Sequence, residues 1–362
     1  MPYKISGTKS ETARVIVLKE SDWSIESNTV ISGSGAYEID GLEVGDKLVF
    51  GRNEDGWIEG YGGVSGEEYS AGGDRGIFGG GAASTNVIEY ITISTTGDAT
   101  NFGDLTLGRS DLAATSNGVT GRGVFGGGWT AAIANVIDYI TILTPDNATD
   151  FGDLISGVLY YISATSNGTN DRGVFGGGSD GSSTDHISYI TISSNSNSID
   201  FGNLTQARHG LAACSNDTNN RGIFGGGVQT GVAYLDVIDY ITITSTGNAT
   251  DFGDLTSIAG SLAACSNGTN DRGIFAGGYR DPVANTIEHI TISTTGNAIN
   301  FGDLTSAKSA LAACSNGTND RGVFGGGSGT DMDYITITSL GDAQDFGDLT
   351  LSRYGLAATS NA

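Results

Sequence analysis

Histidine, cysteine and proline occur only three times each in the 362 residues, and methionine twice. That scarcity removes most of the side chains from which zinc and copper sites are built. Catalytic triads face the same shortage of bases, and His186, His209 and His289 are far apart in the chain. Basic residues are also few, with 17 Lys and Arg against 41 Asp and Glu and a formal net charge of -24. Phosphate neutralisation needs the opposite balance, so no nucleic-acid partner is expected. Charge of this sign favours solubility and self-repulsion and suits a particle surface or a saline habitat. No run of about twenty apolar residues is present, which argues against membrane insertion through a helix. No cationic-then-apolar segment follows Met1, so no signal peptide and no classical secretion are expected.

What is abundant is glycine, 59 residues, arranged with a period. Arg-Gly-Ile/Val-Phe followed by small residues begins at Arg75, Arg122, Arg172, Arg221, Arg272 and Arg321. A Phe-Gly-Asp/Asn-Leu element follows in each unit, at Phe102, Phe151, Phe201, Phe252, Phe301 and Phe346. A unit of about fifty residues repeated six times signals an array or a propeller. Its apolar stretches are four to eight residues long, rich in Ile, Val, Phe, Tyr and Thr, and bounded by Gly, Asn, Asp and Ser, which reads as strands joined by turns. Four short strands per unit match a propeller blade better than a solenoid rung.

The ends of the array sharpen this reading. The first unit starts directly on its glycine strand, Arg75 to Gly81, with no Leu-Ala-Ala strand before it, whereas the last unit finishes on a surplus one, Leu356 to Asn361. Pairing the two closes the ring and removes exposed edges. The expected fold is therefore all-β: a six-bladed propeller over residues 75–362, closed by the C-terminal strand, preceded by a small β-sandwich.

These residues resemble kelch-type repeats: a small-residue strand, a strand ending in Gly-Gly, a third carrying Tyr and a fourth carrying an aromatic. The tyrosines are Tyr90, Tyr139, Tyr189, Tyr240 and Tyr334, with His289 in the fifth unit. Phe stands in the fourth strand where the kelch pattern has Trp. The resemblance covers about four-fifths of the chain and implies fold rather than activity.

Residues 1–65 do not repeat. Ala13 to Leu18, Tyr37 to Ile39 and Lys47 to Phe50 read as strands around turn-like Ser-Gly and Asn-Glu-Asp-Gly segments. The run from Gly35 to Leu42 resembles carboxypeptidase-regulatory-like or transthyretin-like domains. Residues 66–74 read as a glycine-rich linker.

Several motifs call for a structural reading. Cys214, Cys265 and Cys314 share one repeat position with Thr115, Thr165 and Thr359, so the site asks for a small side chain and the thiols are expected buried and unpaired. Glycine runs such as Gly325 to Gly327 lack the Lys-Ser/Thr of a phosphate loop. Calcium is the one ion the recurring Asp251-Phe252-Gly253-Asp254 element would suit, but it lacks the dense oxygen alternation of dedicated loops, and an outer strand explains it more simply. No cofactor is expected. Asn-x-Ser/Thr triplets such as that at Asn267 are by-products of a repeated loop.

Comparison among the units separates constant loops from variable ones. The loops after the first and third strands hardly change, whereas those after the glycine strand and after the fourth strand vary. In an up-and-down blade the two variable loops share one face. Read that way, the face gathers Trp129, Tyr160, Tyr161, Arg208, His209, Tyr234, Tyr279, Arg280, Lys308, Arg353 and Tyr354. Aromatic and Arg side chains are what binding surfaces enrich, so this face is the candidate ligand site, while variable loops are also simply tolerant of change. A small β-module, a glycine linker, near-identical repeats and acidic charge resemble phage or virus structural proteins. That resemblance implies a non-enzymatic tail-fibre, baseplate or capsid-decoration component, assembled in the host cytoplasm. Residues 1–65 would hold other virion proteins, and the propeller would meet a host glycan or protein; a homo-oligomer is compatible with it. The alternatives are a cellular kelch-like interaction scaffold and, behind it, a glycan hydrolase with paired carboxylates in the funnel.

Overall fold

The structure is a computed structural model. It describes residues 74–361 apart from 117–120, 131–133, 156–158, 167–170, 216–219, 267–270, 317–319 and 328, and, before residue 74, the backbone of six strands. Two units are resolved by their contacts, Met1–Ala71 and Gly72–Ala362.

In the first unit, Tyr3–Lys9 pairs antiparallel with Gly35–Leu42. The other sheet runs Ile25–Ile31, Ala13–Lys19, Lys47–Arg52, Ile58–Val64, again antiparallel. The strands expected from sequence fall inside these spans. The expected linker, residues 66–74, lies outside the described residues except for Asp74.

The second unit is a ring of six blades. The third blade shows the pattern: Ser163–Thr165 on the inside, then Arg172–Gly176, His186–Thr191 and Ile199–Asn203 on the outside, each antiparallel to the next. The fourth blade adds a two-residue strand, Val228–Gln229. Each inner strand touches the next around the axis, and Leu311–Asn316 touches Ala357–Ser360, which touches Ala113–Ser116. Closure is the one expected: Ala357–Ser360 pairs with Arg75–Gly79, and Asn361 Oδ1 accepts the Arg75 amide at 2.9 Å.

Side-chain size decides the wedge shape. Inner strands carry Leu-Ala-Ala, or Ile162-Ser163-Ala164 in the third blade, and these residues line a cavity of about 110 Å³ on the axis. The second strand is buried on both faces, its Phe pressing on a glycine of the preceding blade. A Cβ on Gly126 would stand 2.6 Å from the Phe175 ring, and one on Gly176 2.7 Å from Phe224. Cys214, Cys265 and Cys314 are buried free thiols. Each Sγ points at the glycine after the next blade's Arg, at Gly273, Gly322 and Gly76, as Thr359 does at Gly123.

Two further devices join neighbours. The Arg that opens each second strand reaches the next blade, donating through Nη1 to the carbonyls of Ile142, Ile192, Ile243, Ile292, Ile337 and Ile93 at 2.8–3.1 Å. Five of these guanidinium groups lie 4.3–4.5 Å over their own blade's Tyr ring; the sixth, Arg272, has His289 there. On the outside, the Phe-Gly-Asp element receives the third-to-fourth-strand loop of the next blade. The Ala298 amide donates to the Asp254 carbonyl at 2.8 Å and Asn297 Oδ1 accepts the Asp254 amide at 3.1 Å. Gly253, at φ +148°, has no room for a Cβ, which would lie 2.5 Å from the Gly296 carbonyl. That element is a clamp between blades.

Candidate functional site

The variable loops do share one face. Ser110 exchanges both backbone hydrogen bonds with Trp129, and Tyr160 with Ser179, His209 with Val228 and Gly260 with Tyr279. Each pair joins the loop entering a blade to the loop after that blade's second strand.

At the centre of this face the chain crosses the axis mouth six times, at Asp111, Tyr161, Gly210, Ser261, Ala310 and Gly355. Each of these amides donates to the carbonyl of the residue before it in the ring, at 2.6–2.8 Å, and Asp111 closes the circle on Gly355. All six lie in the left-handed region, with φ between 55° and 65°. Glycine suits that conformation, as at Gly210 and Gly355, whereas a bulky side chain such as Tyr161 is strained there by about 1 kcal/mol. The ring rims a cavity of about 70 Å³.

The expected aromatic residues are brought together above this ring. Trp129 packs edge-on against Tyr160 with centroids 5.2 Å apart, Tyr160 meets Tyr161 at 5.2 Å, and Tyr161 meets His209 at 5.7 Å. Tyr234 and Tyr279 stack separately at 5.0 Å. Trp129 is 41% exposed and Tyr354 53%. Burial pushes the Tyr161 phenol up to about 12, helped by the Asp111 charge. His209 is lowered by burial and so is neutral at pH 7. Its Nδ1 lies 2.9 Å from Ser183 Oγ, which also lies 3.1 Å from the Val228 carbonyl and accepts the Thr230 amide at 2.8 Å. The Ser183 hydroxyl is thus committed to bracing two loops.

The cations of the sequence reading are a correction. Arg208, Arg353 and Lys308 are buried, not displayed, and Arg280 is nearly so. Arg208 pairs with Asp239 at 2.9 Å, Lys308 with Asp333 at 3.0 Å, Arg353 with Glu89, and Arg109, at the same repeat position, with Asp138 at 2.8 Å. The acid sits inside the third strand, where an ionised carboxylate must be compensated. The two exceptions follow the same logic. Where the cation position is Leu159, the acid position is Ser188. Where it is Ala259, Glu288 keeps its charge because Arg280 enters from the other loop. These cations hold loops.

Sequence reading missed Asp111. It does not count Asp111 among the candidate face residues. The available signal was that this ring position is acidic in one unit alone, being Tyr, Gly, Ser, Ala and Gly in the others. The Asp111 carboxylate accepts from Ser110 Oγ at 2.9 Å, and a Cβ on Gly355 would stand 2.4 Å from its Oδ1. Burial pushes it up to about 6. Among the described residues it has no cationic partner, and no three His, Cys, Asp or Glu side chains converge as a metal site would require.

No protein-family model and no curated protein matches this sequence. Among solved structures the chain is similar to YjhT, at 12% identity and a TM-score of 0.59 over 75% of this chain and 94% of that one. At that identity the likeness concerns the propeller fold alone. The chain is a six-bladed β-propeller.

Proposed function

We propose that this chain is a non-enzymatic binding protein whose propeller presents the axial mouth of its variable-loop face to a glycan or protein surface. In this reading it is a divergent kelch-like propeller carried by a virus particle, with residues 1–65 as the attachment module. A propeller fold is itself consistent with a binding or scaffold role and not with any one ligand. The observation that carries the reading is the unbroken Trp129, Tyr160, Tyr161, His209 chain of rings at the mouth of the axis. Aromatic rings gathered in contact and left partly exposed at one mouth are what recognition sites enrich. The virion setting is supported by the acidic charge and by the separate N-terminal unit.

Constancy of the opposite loops does not add to the case. The third-to-fourth-strand loop is constant because it clamps the neighbouring blade, so the contrast with the variable face has a structural origin.

The test is binding of the purified chain to host cells and to a glycan array. Trp129→Ala with Tyr160→Ala and Tyr279→Ala should abolish binding, because large aromatic anchors dominate such interfaces. Ile199→Ser with Ile299→Ser, at exposed outer-strand positions, should leave it intact. Labelling with antibody in electron micrographs of particles tests the setting. Equal losses from both sets, or no binding by the unaltered chain, would favour a purely structural role.

A further inference from the structure

The carboxylates buried in the third strands all have a cation, and Asp111, half-buried at the axis mouth, has none. Glu89, Asp138, Asp239, Glu288 and Asp333 each hold a cation. Where a cation is absent, at Leu159, the acid is absent as well. Asp111 is half-buried at the axis mouth, carries a single hydroxyl donor, Ser110, and has no cation among the described residues.

Its surroundings are equally specific. The two adjoining ring positions that carry large side chains are Asp111 and Tyr161, bonded through the Tyr161 amide and the Asp111 carbonyl at 2.8 Å. Both hold φ near +55°, as Ser261 and Ala310 do in the same ring, a conformation that costs a tyrosine free energy. Both residues line the cavity at the mouth. Gly355 supplies the room: any side chain there would displace the Asp111 carboxylate. Tyr354 follows on the rim, and Tyr160 stands beside Tyr161.

We propose that this mouth is a receptor for an organic ammonium group, a protonated primary amine or a quaternary ammonium carried by the ligand. A carboxylate supplies the compensating charge, and the electron-rich faces of tyrosine rings supply the rest, as in aromatic cages. A bare metal cation would need several more oxygen ligands than one carboxylate offers. A neutral sugar could stack on the rings but would leave the Asp111 charge uncompensated. The inference rests on the binding reading above, since it names the chemical group that face selects.

The experiment is a calorimetric titration of the full chain at pH 7.5 with choline and with n-butylammonium, each against glucose as a neutral probe. Asp111→Asn keeps the shape and removes the charge; Tyr161→Gly removes the ring and relieves the backbone. Each should weaken ammonium binding by at least about tenfold, while Asp303→Asn on an outer strand leaves it unchanged. No ammonium binding by the unaltered chain, or equal binding by Asp111→Asn, overturns the proposal. Glucose binding that survives Asp111→Asn, with no ammonium binding, overturns it while keeping the face as a ligand site. Ammonium binding without attachment to any cell or glycan upholds it and sinks the surface-recognition reading instead.

Discussion

At the residue scale, the ionisable groups that burial has shifted make the clearest predictions. Asp111 is raised to about 6 from an ordinary 3.8 by burial. The folded chain therefore holds this proton more tightly than the unfolded chain, and stability falls as pH rises from about 4 to about 6. Solvent screening of a partly exposed group leaves a penalty of about 1–2 kcal/mol at pH 8. Asp111→Asn should raise stability by that amount at pH 8 and by little at pH 3.5, as urea unfolding at the two pH values would show. His289 has the opposite sign. Burial, and then Arg272, lower its pKa, so its contribution is whole above the unfolded value near 6.5 and declines as pH falls below it. His289→Tyr should remove that decline and let Arg272 stack as the other five arginines do. Melting curves at pH 5 and 8 would show a gain that is larger at pH 5.

At the scale of the element, each blade's third strand buries a polar side chain, and in four blades a cation of the entering loop answers it. The reason is energetic: an uncompensated charge inside a strand costs several kcal/mol. The fifth blade solves this through a different loop, because Ala259 has no charge to offer and Arg280 meets Glu288 from the other side. Arg280→Ala should accordingly destabilise by about 3–5 kcal/mol, and Arg280→Ala with Glu288→Gln by clearly less, since the second change removes the orphaned charge. Denaturant unfolding of the two variants and of Glu288→Gln alone closes the cycle. Equal destabilisation by the single and double variants would show that the arginine acts by packing its stem rather than by pairing.

At the scale of the molecule, every device runs full circle. Arginine clips, outer clamps and the amide ring at the axis mouth each close from the sixth blade onto the first, so no blade is an independent end. Closure itself rests on Ala357–Ser360. Deleting residues 356–362 should lower the melting temperature and remove hydrogen-exchange protection from the first and last blades together, with the middle blades retaining more. Protection unchanged in Arg75–Gly79 would show that the C-terminal strand is dispensable.

The sequence alone determined the propeller, its six units and the strand that closes it, because a repeated unit states the same local solution six times and its missing and surplus strands can only complete each other. It also determined which loops share a face, through the alternation of an up-and-down blade. It could not tell a surface arginine from a buried one. Arg208, Arg353 and Tyr354 stand in the same loops, and burial of the first two follows from acids about thirty residues or more away along the chain that only packing brings near. Asp111 was hidden for the same reason. Its neighbours on the ring, Gly355 and Tyr161, are distant in sequence, and its significance lies in having no cation beside it, a property of three-dimensional surroundings and not of spacing.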